Sequence, residues 1–301
     1  MKPKNSIRGG VIAIDKPQGF TSQDAVNKIR RYFDTKQVGH TGTLDPMATG
    51  VLLVLVGRAV KASEFLTATE KTYLAKIKLG ITTDTEDTSG NILTRSDNIP
   101  TREKILSVLP SFTGDIMQTP PMYSALKVGG KKLVDLARSG IEVDRAAREI
   151  NVSSLELLDG EGDEYTLKIT CSKGTYIRTL CKDIGDALSC GGAMSYLRRV
   201  SNGSFDISEC YTFEKLEEMT PKERFDALIP VERFFKDSKI VMLPPFYERL
   251  AKNGAHIFID KIGFSSCENE TVRMYGEDGF FAIGKTGLYP EGLAVKPIKF
   301  L

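Results

Sequence analysis

Histidine is nearly absent. His40 and His256 are the only two in the 301-residue chain, so a histidine-rich zinc or di-iron site cannot be assembled. Cysteine is sparse as well: Cys171, Cys181, Cys190, Cys210 and Cys267 are odd in number and include no C-x-x-C pair. Such scattered thiols in a chain of this size argue against a disulfide framework and fit a reducing cytosol. Long hydrophobic runs are also missing. The longest, residues 51–56, falls far short of the roughly 20 residues that cross a bilayer. Lys2, Lys4 and Arg8 imitate the charged start of a signal peptide, but the apolar stretch 11–14 stops at Asp15, too short for an export signal. Excess charge of one sign is lacking too, since a net charge of +2 does not by itself argue for nucleic-acid binding.

What is present is an ordinary globular composition, 41% hydrophobic and 27% charged, on a chain long enough for one large domain and a smaller companion. Charge is uneven along it. Residues 1–61 hold ten Lys or Arg against four Asp, whereas residues 241–301 hold seven of each sign. The N-terminal part is therefore the one suited to face an anion.

Residues 11–15 read as a short buried strand, and Thr21-Ser22-Gln23-Asp24 gives a capping-box-like start to a helix with Val26, Ile29 and Phe33 on one face. A glycine-rich stretch, residues 39–50, precedes the apolar run 51–56, which fits either a buried strand or a buried helix. From Tyr73, the period of two in Tyr73, Ala75, Ile77 and Leu79 predicts a half-buried strand with Tyr73 inward. A short helix is expected at 102–109, ended by Pro110. Lys127, Lys131, Lys132 and Arg138 then mark a basic segment expected to be mobile. Tyr165, Leu167, Ile169 and Cys171 alternate as a second strand, which turns into a helix with Ile177, Leu180, Cys181, Ile184 and Leu188 at helical spacing. Beyond Leu243-Pro244-Pro245 the Gly-punctuated remainder predicts a small all-β unit.

Four residues stand out as carriers of chemistry. Asp45 precedes Pro46, which suits a helix N-cap; it also lies among Gly39, Gly42 and Gly50, which let backbone approach a ligand. Arg178 falls in the first turn of its predicted helix, where the macrodipole disfavours a cation, so either solvent or a nearby anion compensates it. Tyr73 is either a core tyrosine or a ring for stacking on a base. His40 is a loop histidine, plain or functional. Two patterns are decoys. The run 83–90 resembles a calcium loop but places Ser89 and Arg95 where glycine and glutamate are needed. Gly39-x-x-Gly42 matches neither a P-loop nor the dinucleotide fingerprint.

These residues resemble a known family, the bacterial tRNA pseudouridine-55 synthases of the TruB type. Lys16-Pro17-Gln18-Gly19-Phe20-Thr21-Ser22 is similar to the family's first motif, and Gly39-His40-Thr41-Gly42-Thr43-Leu44-Asp45-Pro46 to its signature around the catalytic aspartate. Further matches are Glu70-Lys71-Thr72-Tyr73, the stretch 80–90, Gln118-Thr119-Pro120-Pro121, Ser124-Ala125-Leu126-Lys127, Ser172-Lys173-Gly174-Thr175-Tyr176-Ile177-Arg178 and Leu197-Arg198-Arg199. They run in order over residues 11–205. After Arg199 the chain departs from the pattern, reading Val200-Ser201-Asn202-Gly203-Ser204 in place of a basic residue and a Gly-Pro pair.

The resemblance implies an α+β pseudouridine synthase fold with a mixed, mainly antiparallel sheet flanked by helices and loops. It places the catalytic domain at 1–238, with a basic RNA-clamping insertion at 124–150 that is disordered without RNA, and a small β-rich PUA-like RNA-binding domain at 239–301. The implied activity is isomerisation of uridine 55 in the T-arm of tRNA, a reaction with no redox change and no added atoms, hence no cofactor and no metal. Asp45 is then the nucleophile or the base that starts glycal formation, and Arg178 holds it in place. Tyr73 stacks on the uracil and takes the C5 proton, and Leu197 and Tyr176 line the pocket. His40 fills the space of the extruded base, and Lys16 with Pro17 supports the Asp45 loop. Lys127, Lys131, Lys132, Arg198 and Arg199 are the expected RNA contacts. The implied protein is a cytoplasmic monomer with no membrane association and no obligatory protein partner. Three alternatives remain: a non-catalytic tRNA-folding chaperone, a guide-RNA-dependent subunit, and a metal-dependent hydrolase using Asp84, Glu86 and Asp87.

Overall fold

The computed structural model describes residues 9–67 and 70–301; Lys2, Lys4 and Arg8 lie outside them. The chain opens with β1 (Gly10–Lys16), α1 (Ser22–Tyr32), β2 (Val38–His40) and β3 (Thr49–Val56), followed by α2 (Ser63–Thr67) and β4 (Lys71–Leu79). The Thr21 hydroxyl accepts from Asp24 N–H while the Asp24 carboxylate accepts from Thr21 N–H, closing the capping box that starts α1. The run 51–56 is a strand. Both its faces are covered, because an apolar core lies on each side of the sheet: Leu52, Val54 and Val56 enter one while Val51, Leu53 and Leu55 enter the second on the opposite face. A continuous apolar run is what such a strand requires, which is why periodicity alone left helix and strand open.

A small paired unit, β5 (Ile81–Thr83) with β6 (Ile92–Arg95), leads to α3 (Arg102–Val108) and β7 (Gly114–Gln118). The α-helix stops at Val108, ahead of Pro110, as expected; Pro110 itself lies beyond it. It fits inside a 3-10 turn, residues 109–112, where its missing N–H is not needed. Residues 124–150 carry short regular elements: β8 (Lys127–Val128) pairs with β9 (Lys131–Lys132), and α4 (Leu133–Arg138) buries Leu133. Then follow β10 (Arg148–Glu161), β11 (Glu164–Cys171), α5 (Ile177–Ala187), β12 (Gly192–Asn202) and β13 (Phe205–Asp206), with α6 (Phe213–Glu218) and α7 (Pro221–Asp226) behind them.

The main sheet has nine strands, ordered β1-β3-β12-β4-β11-β10-β7, with β2 on β3 and β13 on β12. All its pairings are antiparallel except β3 with β12, which makes it the mixed, mainly antiparallel sheet that was expected. β4 and β11 bury Tyr73, Ala75, Ile77 and Leu79, and Tyr165, Leu167, Ile169 and Cys171, as their alternation predicts. The remainder, β14 (Lys239–Met242), α8 (Pro245–Lys252), β15 (Ile257–Phe258), β16 (Thr271–Gly276), β17 (Gly279–Tyr289) and β18 (Gly292–Phe300), forms a separate five-stranded sheet over its own apolar core. Among the described residues no helix is long and apolar enough to cross a membrane, and all five cysteines are free thiols.

Candidate active site

Asp45 does not cap a helix. No helix follows Pro46; Ala48 N–H donates to Asp45 O, closing a tight turn that delivers the chain into β3. That turn is held from the first motif. The Ser22 hydroxyl, at the start of α1, accepts from Leu44 N–H at 2.8 Å and donates to Leu44 O at 3.1 Å, and Gly19 N–H donates to Pro46 O. Lys16, fully buried at the end of β1, donates its ammonium to Pro17 O and Phe20 O, so it braces the bend between β1 and α1. Burial lowers the Lys16 ammonium to about 8, against the opposing pull of the Asp45 charge.

Arg178 reaches this turn from the other side. It occupies the second position of α5 and is 8% exposed; its Nε lies 3.1 Å from Asp45 Oδ2, and Nη1 lies 3.7 Å from Asp87 Oδ2. Its remaining donors go to Thr85 O and Tyr123 O. These two carboxylates are the anions that allow a cation at a helix N-terminus. The helix start is itself fixed, because the Gln118 side chain accepts from Tyr176 N–H and donates to Tyr176 O.

Asp87 is the residue that sequence reasoning discarded with the calcium decoy. It is 4% exposed and accepts from the Thr85 hydroxyl and from Ser89 N–H and hydroxyl, a set of local bonds that aims its other oxygen at Arg178. Asp84 closes a turn by accepting from Asn91, and Glu86 accepts from the Thr179 hydroxyl while burial raises its pKa. The three carboxylates thus serve three separate ends. Among the described residues, no group of three or more His, Cys, Asp or Glu is placed to share a metal ion.

Asp45 and Arg178 border a cavity of about 370 Å³, lined also by Tyr73, Tyr176, Ile177, Leu197, Lys71, Lys173 and Arg199. Tyr73 is 8% exposed, and burial raises its phenol above the ordinary value against the pull of the neighbouring Arg199 guanidinium. Burial likewise raises the Tyr176 phenol. The segment 124–150 contributes Ser124, Ala125 and Val134 to the rim, whereas Lys127, Lys131 and Lys132 are exposed on their hairpin and do not line the cavity. His40 ends β2 just outside the lining, its Nδ1 accepting from Gly42 N–H, and burial lowers its pKa.

Arg198 and Arg199, two of the expected RNA contacts, occupy different places. Arg198 and Arg199 are neighbours on β12 and point to opposite faces. Arg198 bonds Asp15 at 2.7 Å and the Thr49 hydroxyl, away from the cavity. Arg199 is 1% exposed, which rules out a surface clamp; its Nε donates to Val51 O at 2.6 Å from inside the site. Lys71 was also overlooked. It shares the parity of Tyr73 on β4, so the alternation that turned Tyr73 inward applied to it equally, and burial lowers its ammonium to about 8.

Residues 30–177 match the model of the TruB family pseudouridylate synthase N-terminal domain, and residues 178–236 match that of the tRNA pseudouridylate synthase B C-terminal domain. The tRNA pseudouridine synthase B of Geobacillus kaustophilus is 45% identical over 272 residues, covering 86% of this chain and 95% of that protein. The chain belongs to the TruB family. The enzyme of the same name from Clostridium kluyveri is 40% identical over 276 residues, covering 91% of this chain and 94% of that one. Among solved structures, a chain of a Cbf5-Nop10-Gar1 complex superposes with a TM-score of 0.72 at 26% identity, covering 98% of this chain and 85% of that chain. A chain of an H/ACA RNP bound to a substrate RNA containing 2'-deoxyuridine gives 0.69 at 26% identity, covering 98% and 86%. This TruB-family chain is accordingly a pseudouridine synthase, an isomerase.

Proposed function

We propose that the chain isomerises uridine 55 in the T-arm of tRNA to pseudouridine, with Asp45 as the group that opens the reaction at the ribose. The observation that carries this reading is the Asp45–Arg178 pair at the edge of a cavity beside Tyr73. The reaction breaks C1′–N1, rotates the detached uracil, forms C1′–C5, passes the C5 proton to a base and returns a proton to N1. Atoms are conserved and no electrons are gained. Asp45 attacks C1′, or removes a ribose proton on the glycal route; either role needs a carboxylate aimed from one side, which the bracing of its turn provides. Arg178 holds that carboxylate through the ion pair. Tyr73 stacks on the uracil, while Leu197, Ile177 and Tyr176 keep the detached base from leaving. For Tyr73 to take the C5 proton as a phenolate, the adjacent Arg199 guanidinium must stabilise the charge that burial disfavours.

The target base is stacked in a folded loop, so it is extruded into the cavity at a cost of a few kcal/mol. His40, at the lip, takes the vacated space. The exposed Lys127, Lys131 and Lys132 meet phosphates of the T-arm, and residues 239–301 act as a PUA-like module on the same RNA. The protein works in the cytoplasm as a monomer with no protein partner. Identities of 40–45% to relatives named tRNA pseudouridine synthase B, against 26% to chains solved within multi-subunit assemblies, favour this over the guide-dependent reading. The test is tritium release from a T-arm stem-loop labelled at uridine C5. Release by the wild type and none by Asp45→Ala supports the proposal; binding without release by both proteins would replace it with a chaperone or a guide-dependent subunit.

A further inference from the structure

The loop between β5 and β6 returns to the catalytic pair with its backbone as well as with Asp87. Thr85 O accepts from Arg178 Nη1 at 3.1 Å, and Asp87 Oδ2 lies 3.7 Å from the same nitrogen. Glu86 stands between these two groups, and its φ is +63°. Of the described residues other than glycine, Asp34, Ser189 and Asn269 alone share a positive φ with it. Asp and Asn visit this region with short side chains that bond the nearby backbone, whereas glutamate has no such help. Contacts from elsewhere in the fold must therefore hold Glu86 in place.

They come from two elements. On the β12 side, Glu86 O accepts from Met194 N–H at 3.1 Å, and Thr88 N–H donates to Met194 O at 2.9 Å. On the α5 side, the Thr179 hydroxyl donates to Glu86 Oε2 at 2.5 Å. Thr179 is 3% exposed and directly follows Arg178 in the chain. Three consecutive loop residues, Thr85, Glu86 and Asp87, thus meet two consecutive helix residues, Arg178 and Thr179. The middle contact involves no guanidinium. It sets how far the loop stands from the helix, and so the place from which Thr85 O and Asp87 act on Arg178. Glu86 does not line the cavity, so any effect it has on the reaction passes through a neighbour.

Resting on the function proposed above, we infer that Glu86 is a positioning residue for the isomerisation: bonded to Thr179, its carboxylate locks the loop 83–90 onto α5. Thr85 O and Asp87 then hold the Nη1 end of the Arg178 guanidinium, which leaves Nε presented to Asp45 at 3.1 Å. Without the lock the guanidinium tilts, and Asp45 loses its aim while the surface that binds RNA stays intact.

The test separates rate from affinity. Single-turnover tritium release from the T-arm stem-loop and the Kd for the same RNA are measured for wild type, Glu86→Ala, Glu86→Gln, Glu86→Gly and Thr179→Val. Glu86→Ala and Thr179→Val should each slow release about tenfold, equivalent to about 1.4 kcal/mol, with Kd within about twofold of wild type. The two together should be no slower than either alone, because they remove one bond. Glu86→Gln keeps an acceptor oxygen for Thr179 and should stay within about threefold of the wild-type rate. Glu86→Gly relieves the left-handed backbone but lacks the carboxylate, so it should be as slow as Glu86→Ala. A Glu86→Gly protein that releases label at the wild-type rate overturns the lock. So does a full further loss when Glu86→Ala is added to Arg178→Met, since the effect would then bypass Arg178. Should Glu86→Ala fail to fold, Glu86→Gly and Thr179→Val carry the same comparison. A wild type that releases no label counts against the function and, with it, the positioning role; a wild type that does, beside equally fast Glu86→Ala and Thr179→Val proteins, counts against the positioning role alone.

Discussion

Arg178 Nε and Asp45 Oδ2, 3.1 Å apart, join a helix start to a turn 133 positions earlier in the chain. The Arg178 side chain is 8% exposed and that of Asp45 37% exposed, so the pair has a buried cation behind and an accessible carboxylate in front. Arg178→Met removes the hold on that carboxylate without removing the carboxylate. The expected result in single-turnover tritium release is a rate loss of about 100-fold, equivalent to about 2.7 kcal/mol, with RNA affinity changed far less.

Asp87 acts on the same guanidinium from the inside. Asp87→Ala leaves Arg178 facing one carboxylate and frees the Thr85 and Ser89 donors, so stability should fall by about 3 kcal/mol in urea unfolding. On the rate, Asp87→Ala and Arg178→Met together should cost little more than Arg178→Met alone, because the two share one path to Asp45.

Lys16 gives a pH signature. Its folded value of about 8 lies below the roughly 10.4 of an unfolded lysine, so between those values the unfolded chain binds the additional proton. Stability contributed through Lys16 therefore rises as pH goes from about 8 to about 10. Lys16→Met lacks this rise. Unfolding free energies at pH 7.5 and 9.5 should show the difference, wild type minus variant, growing with pH; a constant difference would contradict the assignment.

Arg198→Ala should do little. Its partner Asp15 is half-buried on the face away from the cavity, and such partly exposed pairs contribute about 0 to 1 kcal/mol. RNA affinity and its dependence on salt should match the wild type.

Gly50 adopts φ +102°, and a Cβ there would come within 2.1 Å of Arg199 O. Gly50→Ala combines a strained backbone with a clash against the strand that carries Arg199. A loss of about 2 kcal/mol or more is expected in thermal or urea unfolding, together with weakened activity.

Much of this was legible in the order of residues. The alternation in β4 and β11, the capping box at Thr21 and the helical spacing from Ile177 each depend on neighbours a few positions away, and each formed as read. What was misread depends on the far side of the fold. Asp45-Pro46 satisfies the local grammar of a helix start, but the bonds from Ser22 and Gly19 hold it as a turn. Arg198 and Arg199 look alike as a basic pair until the strand sends one to each face. Asp87 sits in a run that looked like a failed calcium loop, and only the return of α5 shows its carboxylate meeting a guanidinium.

The single parallel joint of the main sheet, Arg198 opposite Thr49 and Arg199 opposite Gly50, carries a further consequence for how the protein is made. During synthesis β3 and β4 emerge long before β12, and until β12 arrives both lack the strand that joins them, in a chain with no finished cavity. Ribosome-bound fragments ending before residue 192 should therefore be sticky and inert, and activity should switch on over a narrow window of chain length, once β12 closes against β3.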